Sequence, residues 1–202
     1  DDLIFLDKNS GMLLEDLSSI EIFSVDEWRS WLEANHRSEH SVWVVCHTKK
    51  SVKPSVGWSQ MVDEALCFGW IDSTRKTIDE HRYRQLFSQR KPDSTWSMIN
   101  KEKIEKLIAE GRMTIAGMEA VERARNNGSW TILDEVEQLM IPEDLMQAFT
   151  LSPAAMQFYD TLSKSLKKVV LQRIAMAKRP ETRQKRIIEA TQSLALNKKP
   201  VV

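Results

Sequence analysis

Cysteine is nearly absent, and so is any long apolar run; each lack excludes a class of protein. Cys46 and Cys67 are the two cysteines in 202 residues. They are too few for a disulfide scaffold and lack CxxC spacing, so free thiols in a reducing compartment are expected. No apolar stretch approaches the ~20 residues of a membrane-spanning helix. The first residues, DDLIFLDKNSGMLLEDLSS, carry acids where a secretion signal carries Lys or Arg, and Asp7, Lys8 and Asn9 interrupt their apolar run. A cytoplasmic location is the expectation. Phosphate-cradling glycine loops, HExxH, GxSxG and paired CxxC are all missing, which removes the common enzyme signatures. Neither internal repeats nor low-complexity tracts occur, and neither a cofactor nor a metal is implied.

What is present suits an ordinary folded chain. With 42 % hydrophobic and 29 % charged residues, a fold of this size buries roughly 70 % of its unfolded surface. Net charge is zero but unevenly spread. Residues 1–50 hold 10 acids and 5 bases, residues 51–150 hold 16 and 13, and residues 151–202 hold 3 and 11. A basic end of this kind meets nucleic acid, an anionic lipid surface, or the acidic half of its own chain or of a second copy, as in a homodimer. Because the bases fall at solvent positions of amphipathic helices, the sequence favours docking within the protein over nucleic acid.

Local patterns predict an α+β fold: a small, mostly antiparallel sheet with packed helices, followed by an all-helical C-terminal segment. IEIF at 20–23 reads as a strand. Ser24 and Glu27 then form a capping box, Phe23 is placed to staple onto Trp28, and the helix buries Trp28, Trp31 and Leu32. SVWVVCH at 41–47 is a strand with Val42, Val44 and Cys46 on one face. Ser59 is the expected cap of a helix with inward Val62, Ala65 and Leu66, stopped by Gly69. Residues 70–88 read as a β-hairpin that turns at Asp79 and Glu80. Pro92 turns the chain into a helix capped by Ser97 or Asn100, with Ile104, Leu107 and Ile108 inward and Gly111 at its end. Thr114 opens another, which closes at 126–128. Pro142, Pro153 and Pro180 suit first helical turns. The expected boundaries are an extension over 1–19, an α+β body over 20–135, and a helical segment over 140–202 packed on the body by Leu166, Val169, Val170, Ile174 and Ile187, Ile188, Thr191, Leu194.

The His36 and His40 pair has i, i+4 spacing but flanks a helix end, which argues against a metal site. Cys67 lies in an apolar turn without a histidine near it in sequence and reads as a structural thiol. The stronger candidate is a constellation: Trp70, Asp72 and Arg75 on the hairpin, Arg90 after it, and Trp96, Ser97 and Asn100 at a helix entry. A helix N-terminus with an arginine and an aromatic wall suits phosphate or carboxylate. The competing reading makes the tryptophans core anchors, Asp72 an internal salt-bridge partner, and Ser97 and Asn100 caps.

The strings ALCFGWIDS, RKPDSTWSMINKEKIEKLIAEGRM and AKRPETRQKRI resemble, in order, the bacterial YdeI/OmpD-associated family, also called bacteriocin-protection proteins, over about residues 20–199. The resemblance implies a cytoplasmic α+β domain related to the YdhG-like group, a C-terminal helical segment, and tolerance of bacteriocins and antimicrobial peptides. Gln89 departs from the family, which usually shows proline there, ahead of the arginine matched by Arg90. Frataxin-like relatives in the YdhG-like group raise an iron-handling option, against which the chain lacks a compact acidic ridge. Three readings follow: binding of a small anionic ligand at the constellation, an enzyme using Asp72 as acid/base beside Arg90, and a nucleic-acid or partner-binding module built on the basic C-terminal helices.

Overall fold

The computed structural model describes residues 11 and 13–200. The chain divides into two compact units. Among the described residues, the first contains 11, 13–94 and 99–127, and the second contains 95–98 and 128–200.

The first unit is built on a mixed four-stranded sheet. Strands β1 (Ser19–Glu21), β2 (Ser41–His47), β3 (Trp70–Thr77) and β4 (Arg82–Gln89) lie in the order β1-β2-β4-β3. The hairpin pairs β3 and β4 antiparallel, and β4 pairs antiparallel with β2. β1 runs parallel to β2, so helix α1 (Val25–Asn35) makes the crossover that parallel strands require. A bulge between Asp72 and Arg75 shifts the β3 register.

The expected cap of α1 is present: the Glu27 N–H donates to Ser24 Oγ at 3.1 Å, and the Glu27 carboxylate accepts the Phe23 N–H at 2.7 Å. Phe23 places its ring 5.6 Å from His47, stacked on it. Helix α2 (Trp58–Cys67) is capped two residues before the expected position. Gly57 is the N-cap, because the Gln60 side chain accepts its N–H at 3.3 Å. Ser59 lies inside the helix, where its Oγ accepts from the Lys103 ammonium at 2.7 Å.

The core lies between the sheet and these helices. Val42 and Phe87, Val44 and Gln85, and Cys46 and Tyr83 are paired across β2 and β4, and the Trp28 ring lies 5.0 Å from Phe87. Trp31 is half-buried, stacked on Trp28 and edge-on to Trp70. On the other face Trp43 packs with Leu14, Leu17 and Leu86, so β2 is buried on both sides, as an inner strand can be. Arg84 and Lys76 lie over the Trp43 ring and pair with Glu15. Hydrogen bonds from Lys76 and Arg84 hold the Glu15 carboxyl down at about 2.

Helix α3 (Met98–Ala109) turns Lys101, Ile104 and Leu107 inward, whereas Ile108, expected inside, is 41 % exposed. Helix α4 (Ile115–Asn126) has Thr114 as N-cap, with Oγ1 accepting the Gly117 N–H at 3.3 Å.

The second unit is helical: α5 (Asp134–Glu137), α6 (Glu143–Leu151), α7 (Pro153–Thr161), α8 (Lys164–Ala175) and α9 (Pro180–Ala195). Its core gathers Leu145, Phe149, Tyr159, Leu171, Ile174 and Leu194. Pro153 and Pro180 stand in first helical turns, but Pro142 is the N-cap, a position that also spends no backbone donor. Ile188 is 47 % exposed because Ile187 and Leu194 define the inward line of α9.

Candidate functional site

The run ALCFGWIDS closes α2 and opens β3. Gly69 has φ +74°, a conformation that glycine adopts without strain, and a Cβ there would lie 3.1 Å from the Ala116 oxygen of α4. Thr114 donates both its N–H and Oγ1–H to the Cys67 carbonyl, at 3.1 and 2.6 Å, so the start of α4 satisfies the end of α2. Cys67 is buried, and burial pushes its thiol up to about 11, with the Glu64 charge adding to the shift. Glu64 is itself 3 % exposed, and both Arg29 and Arg112 pair with it.

This joint forms one wall of a cleft of about 230 Å³ lined by His36, Arg37, Phe68, Gly69, Gln89, Arg90, Ala116, Glu119 and Arg123. Gln89 also lines this cleft. Its N–H donates to the His40 carbonyl at 3.0 Å, and its Nε2 donates to the His36 and Glu39 carbonyls at 2.7 and 2.9 Å. A proline could supply none of these bonds. The Trp70 indole adds another to the His36 carbonyl at 3.2 Å.

Three arginines face one carboxylate in the lining. Arg90 is 8 % exposed; its N–H donates to the Gly69 carbonyl at 2.9 Å and its Nη1 reaches Ser94 Oγ at 3.4 Å. Burial pulls its guanidinium down to about 10, opposed by the attraction of Asp72. The side chains of Arg37 and Arg123 are exposed and make no hydrogen bond or ion pair among the described residues. The His36 ring lies 5.1 Å from Phe68, tilted against it, and has Nδ1 2.8 Å from the Leu32 carbonyl. That bond places the proton of the neutral ring on Nδ1 and leaves Nε2 as an acceptor.

Of the seven residues singled out in sequence, Arg90 is the one that lines this cleft. Trp70 is a buried core residue. Asp72 accepts from Trp58 Nε1 at 2.9 Å and from Gln85 Nε2 at 3.4 Å. Arg75 lies 3.8 Å from the centre of the Tyr83 ring. Asn100 stands in the first turn of α3. Trp96 and Ser97 belong to the second unit, where Trp96 is buried with its ring 5.0 Å from Trp130. His40 Nδ1 contacts Gln89 Oε1 at 3.2 Å. Arg37 and Arg123 carried no sequence signal, since single exposed arginines 86 positions apart announce nothing until the fold joins them.

A second cleft in this unit, about 340 Å³, is lined by His47, Lys50, Ser51, Val52, Lys53, Asp79, His81 and Arg82. Here each long cation has a carboxylate: Lys50 with Glu80, Lys53 with Glu21, and Arg82 with Asp79.

The geometry thus defines an α+β unit with a basic cleft, followed by a helical unit. Residues 20–120, half of the chain, match a domain of unknown function, DUF8412, and the chain belongs to that family. Residues 138–197 match the family described as bacteriocin-protection, YdeI or OmpD-associated. The OmpD-associated likeness is therefore carried by the C-terminal stretch with its KRPETR string, while ALCFGWIDS and TWSMIN fall in the first match. Comparison with curated proteins and with solved structures gives no match.

Proposed function

We propose that the first unit binds a small oxyanion, a phosphate or carboxylate, in the cleft lined by Arg37, Arg90 and Arg123. The observation that carries this reading is the surplus charge of Arg37 and Arg123, which have no protein partner among the described residues and share the lining with the buried Arg90 and a single carboxylate, Glu119. Planar guanidinium donors suit bidentate capture of such anions. The family that matches the C-terminal stretch is described as bacteriocin-protection, which supports a role for such binding in bacteriocin tolerance. Two buried free thiols fit a reducing, cytoplasmic setting.

Thermal unfolding with inorganic phosphate or citrate, against sodium chloride of equal ionic strength, tests the reading. Arg37→Ala with Arg123→Ala removes two exposed side chains and should shift stability by no more than about 0.5 kcal/mol. An anion at 100 times its Kd should stabilise the native chain by roughly 2.7 kcal/mol, and the double variant should lose that gain. Equal stabilisation of both proteins would refute the site.

A further inference from the structure

The second cleft holds a different chemistry. Glu21 ends β1 and His47 ends β2, and parallel pairing brings these strand ends together. His47 Nε2 lies 2.7 Å from Glu21 Oε1, and His47 Nδ1 lies 3.0 Å from Ser51 Oγ. An ionised carboxylate only accepts, so the proton of the neutral imidazole is on Nε2, and Nδ1 accepts from the serine hydroxyl. Ser51 Oγ in turn accepts the Lys53 N–H at 3.1 Å. Every bond runs in one direction, from serine to imidazole to carboxylate. The histidine is 3 % exposed, fixed by the Phe23 ring at 5.6 Å and by Ser55 Oγ, which donates to its carbonyl at 2.8 Å. Hydrogen bonding from His47 lowers the Glu21 pKa, which keeps the carboxylate ionised.

We infer that Ser51, His47 and Glu21 form a nucleophile, base and orienting acid able to cleave a small carboxylic ester in the second cleft. Nucleophile and base within hydrogen-bond reach, with the base oriented by a third group, is the arrangement acyl transfer needs. A turn serine needs the Lys53 bond alone; the imidazole and the carboxylate behind it supply a proton path. His47 and Ser51 both line the cleft, so a substrate carbonyl has access to Oγ.

In the reaction, Ser51 Oγ bonds to the carbonyl carbon as its proton passes to His47 Nδ1, while Nε2–H stays on Glu21. Collapse breaks the ester C–O bond, and the proton moves from Nδ1 to the departing alcohol. Water, deprotonated by Nδ1, then cleaves the acyl-serine to a carboxylic acid and regenerates the hydroxyl. Ester and water are consumed, and acid and alcohol are formed.

A fluorophosphonate probe reports on the same step, since Oγ displaces fluoride and becomes phosphonylated. Peptide mapping of the full chain should find the adduct on Ser51, absent in Ser51→Ala, together with slow turnover of p-nitrophenyl acetate. His47→Gln should slow labelling roughly 100-fold, the scale of a lost general base. Glu21 is a positioning residue: Glu21→Gln should slow labelling at least roughly tenfold, with Glu21→Asp recovering part of the rate. Because His47 is buried and Glu21 is exposed, Glu21→Gln decides the matter even if His47→Gln does not fold. An unlabelled Ser51 in the native chain, or labelling at an unchanged rate in Glu21→Gln, would overturn the assignment.

Discussion

Gly117 lies in the first turn of α4, where a Cβ would sit 2.7 Å from the Cys67 carbonyl carbon and nearer still to its oxygen. Both atoms are backbone, so neither can swing aside. Without a side chain here, α4 approaches α2 closely enough for Thr114 to satisfy the Cys67 carbonyl, and Arg123, two turns further on, reaches the cleft. Gly117→Ala should therefore act beyond the mild effect of alanine in an exposed helix, lowering stability by about 3 kcal/mol, the upper end of overpacking costs. Urea unfolding measures this, and the anion-dependent stabilisation should weaken in the same variant as α4 is displaced. The thiol at this joint is structural: with burial holding Cys67 near 11, it lacks the thiolate that a nucleophile needs.

Among the elements of the helical unit, the arginine of the KRPETR string joins three. Arg183 on α9 forks onto Asp144 at the start of α6, with Nε at 2.6 Å and Nη2 at 2.9 Å, and donates to the Ile174 carbonyl of α8 at 3.3 Å. The hydrogen bonds from Arg183 lower the Asp144 pKa below its ordinary 3.8. A depressed carboxyl contributes stability above its unfolded value and loses it as pH falls through the folded one. Asp144→Asn should accordingly cost about 1 kcal/mol at pH 7, a figure discounted for the pair's solvent exposure. The gap between variant and native chain should close as pH drops below 3.8 in urea titrations followed by helical circular dichroism. The element level was also the most legible in sequence. Ser24, Gly69, Thr114 and Pro153 are local signals that act within one turn, and each stands where the pattern placed it. What stayed hidden was non-local. The parallel pairing of β1 brings Glu21 to His47 across 26 positions, and the return of α4 brings Arg123 to Arg37; periodicity carries neither. The hairpin cations are matched by Glu15, Asp79 and the Tyr83 ring, whereas Arg90, which follows the hairpin, lines the basic cleft.

At the scale of the whole molecule, net charge is zero, yet residues 151–202 hold 11 bases and 3 acids. A nucleic-acid partner would need that surplus on a continuous face, because affinity comes from the phosphates neutralised together. The helical unit instead spends much of it internally. Lys168 pairs with Glu137, Arg173 with Glu189, Arg183 with Asp144, and Lys167 with Asp160, while Arg186 donates to the Arg173 carbonyl at 2.6 Å. Two of these carboxylates, Glu137 and Asp144, come from outside the basic stretch, so its formal charge overstates the charge available to a partner. Lys164, Arg179, Lys198 and Lys199 keep no protein partner among the described residues, and they are divided between α8, the turn before α9 and the segment after it. We expect such dispersed cations to give duplex DNA or RNA a Kd weaker than about 10 µM at physiological salt, within the range of non-specific binding. Fluorescence anisotropy of a labelled duplex across a salt series measures both affinity and slope. So few cations, spread over three segments, would give a shallow slope, whereas submicromolar binding with a steep one would show that the internal pairs open to form a nucleic-acid face.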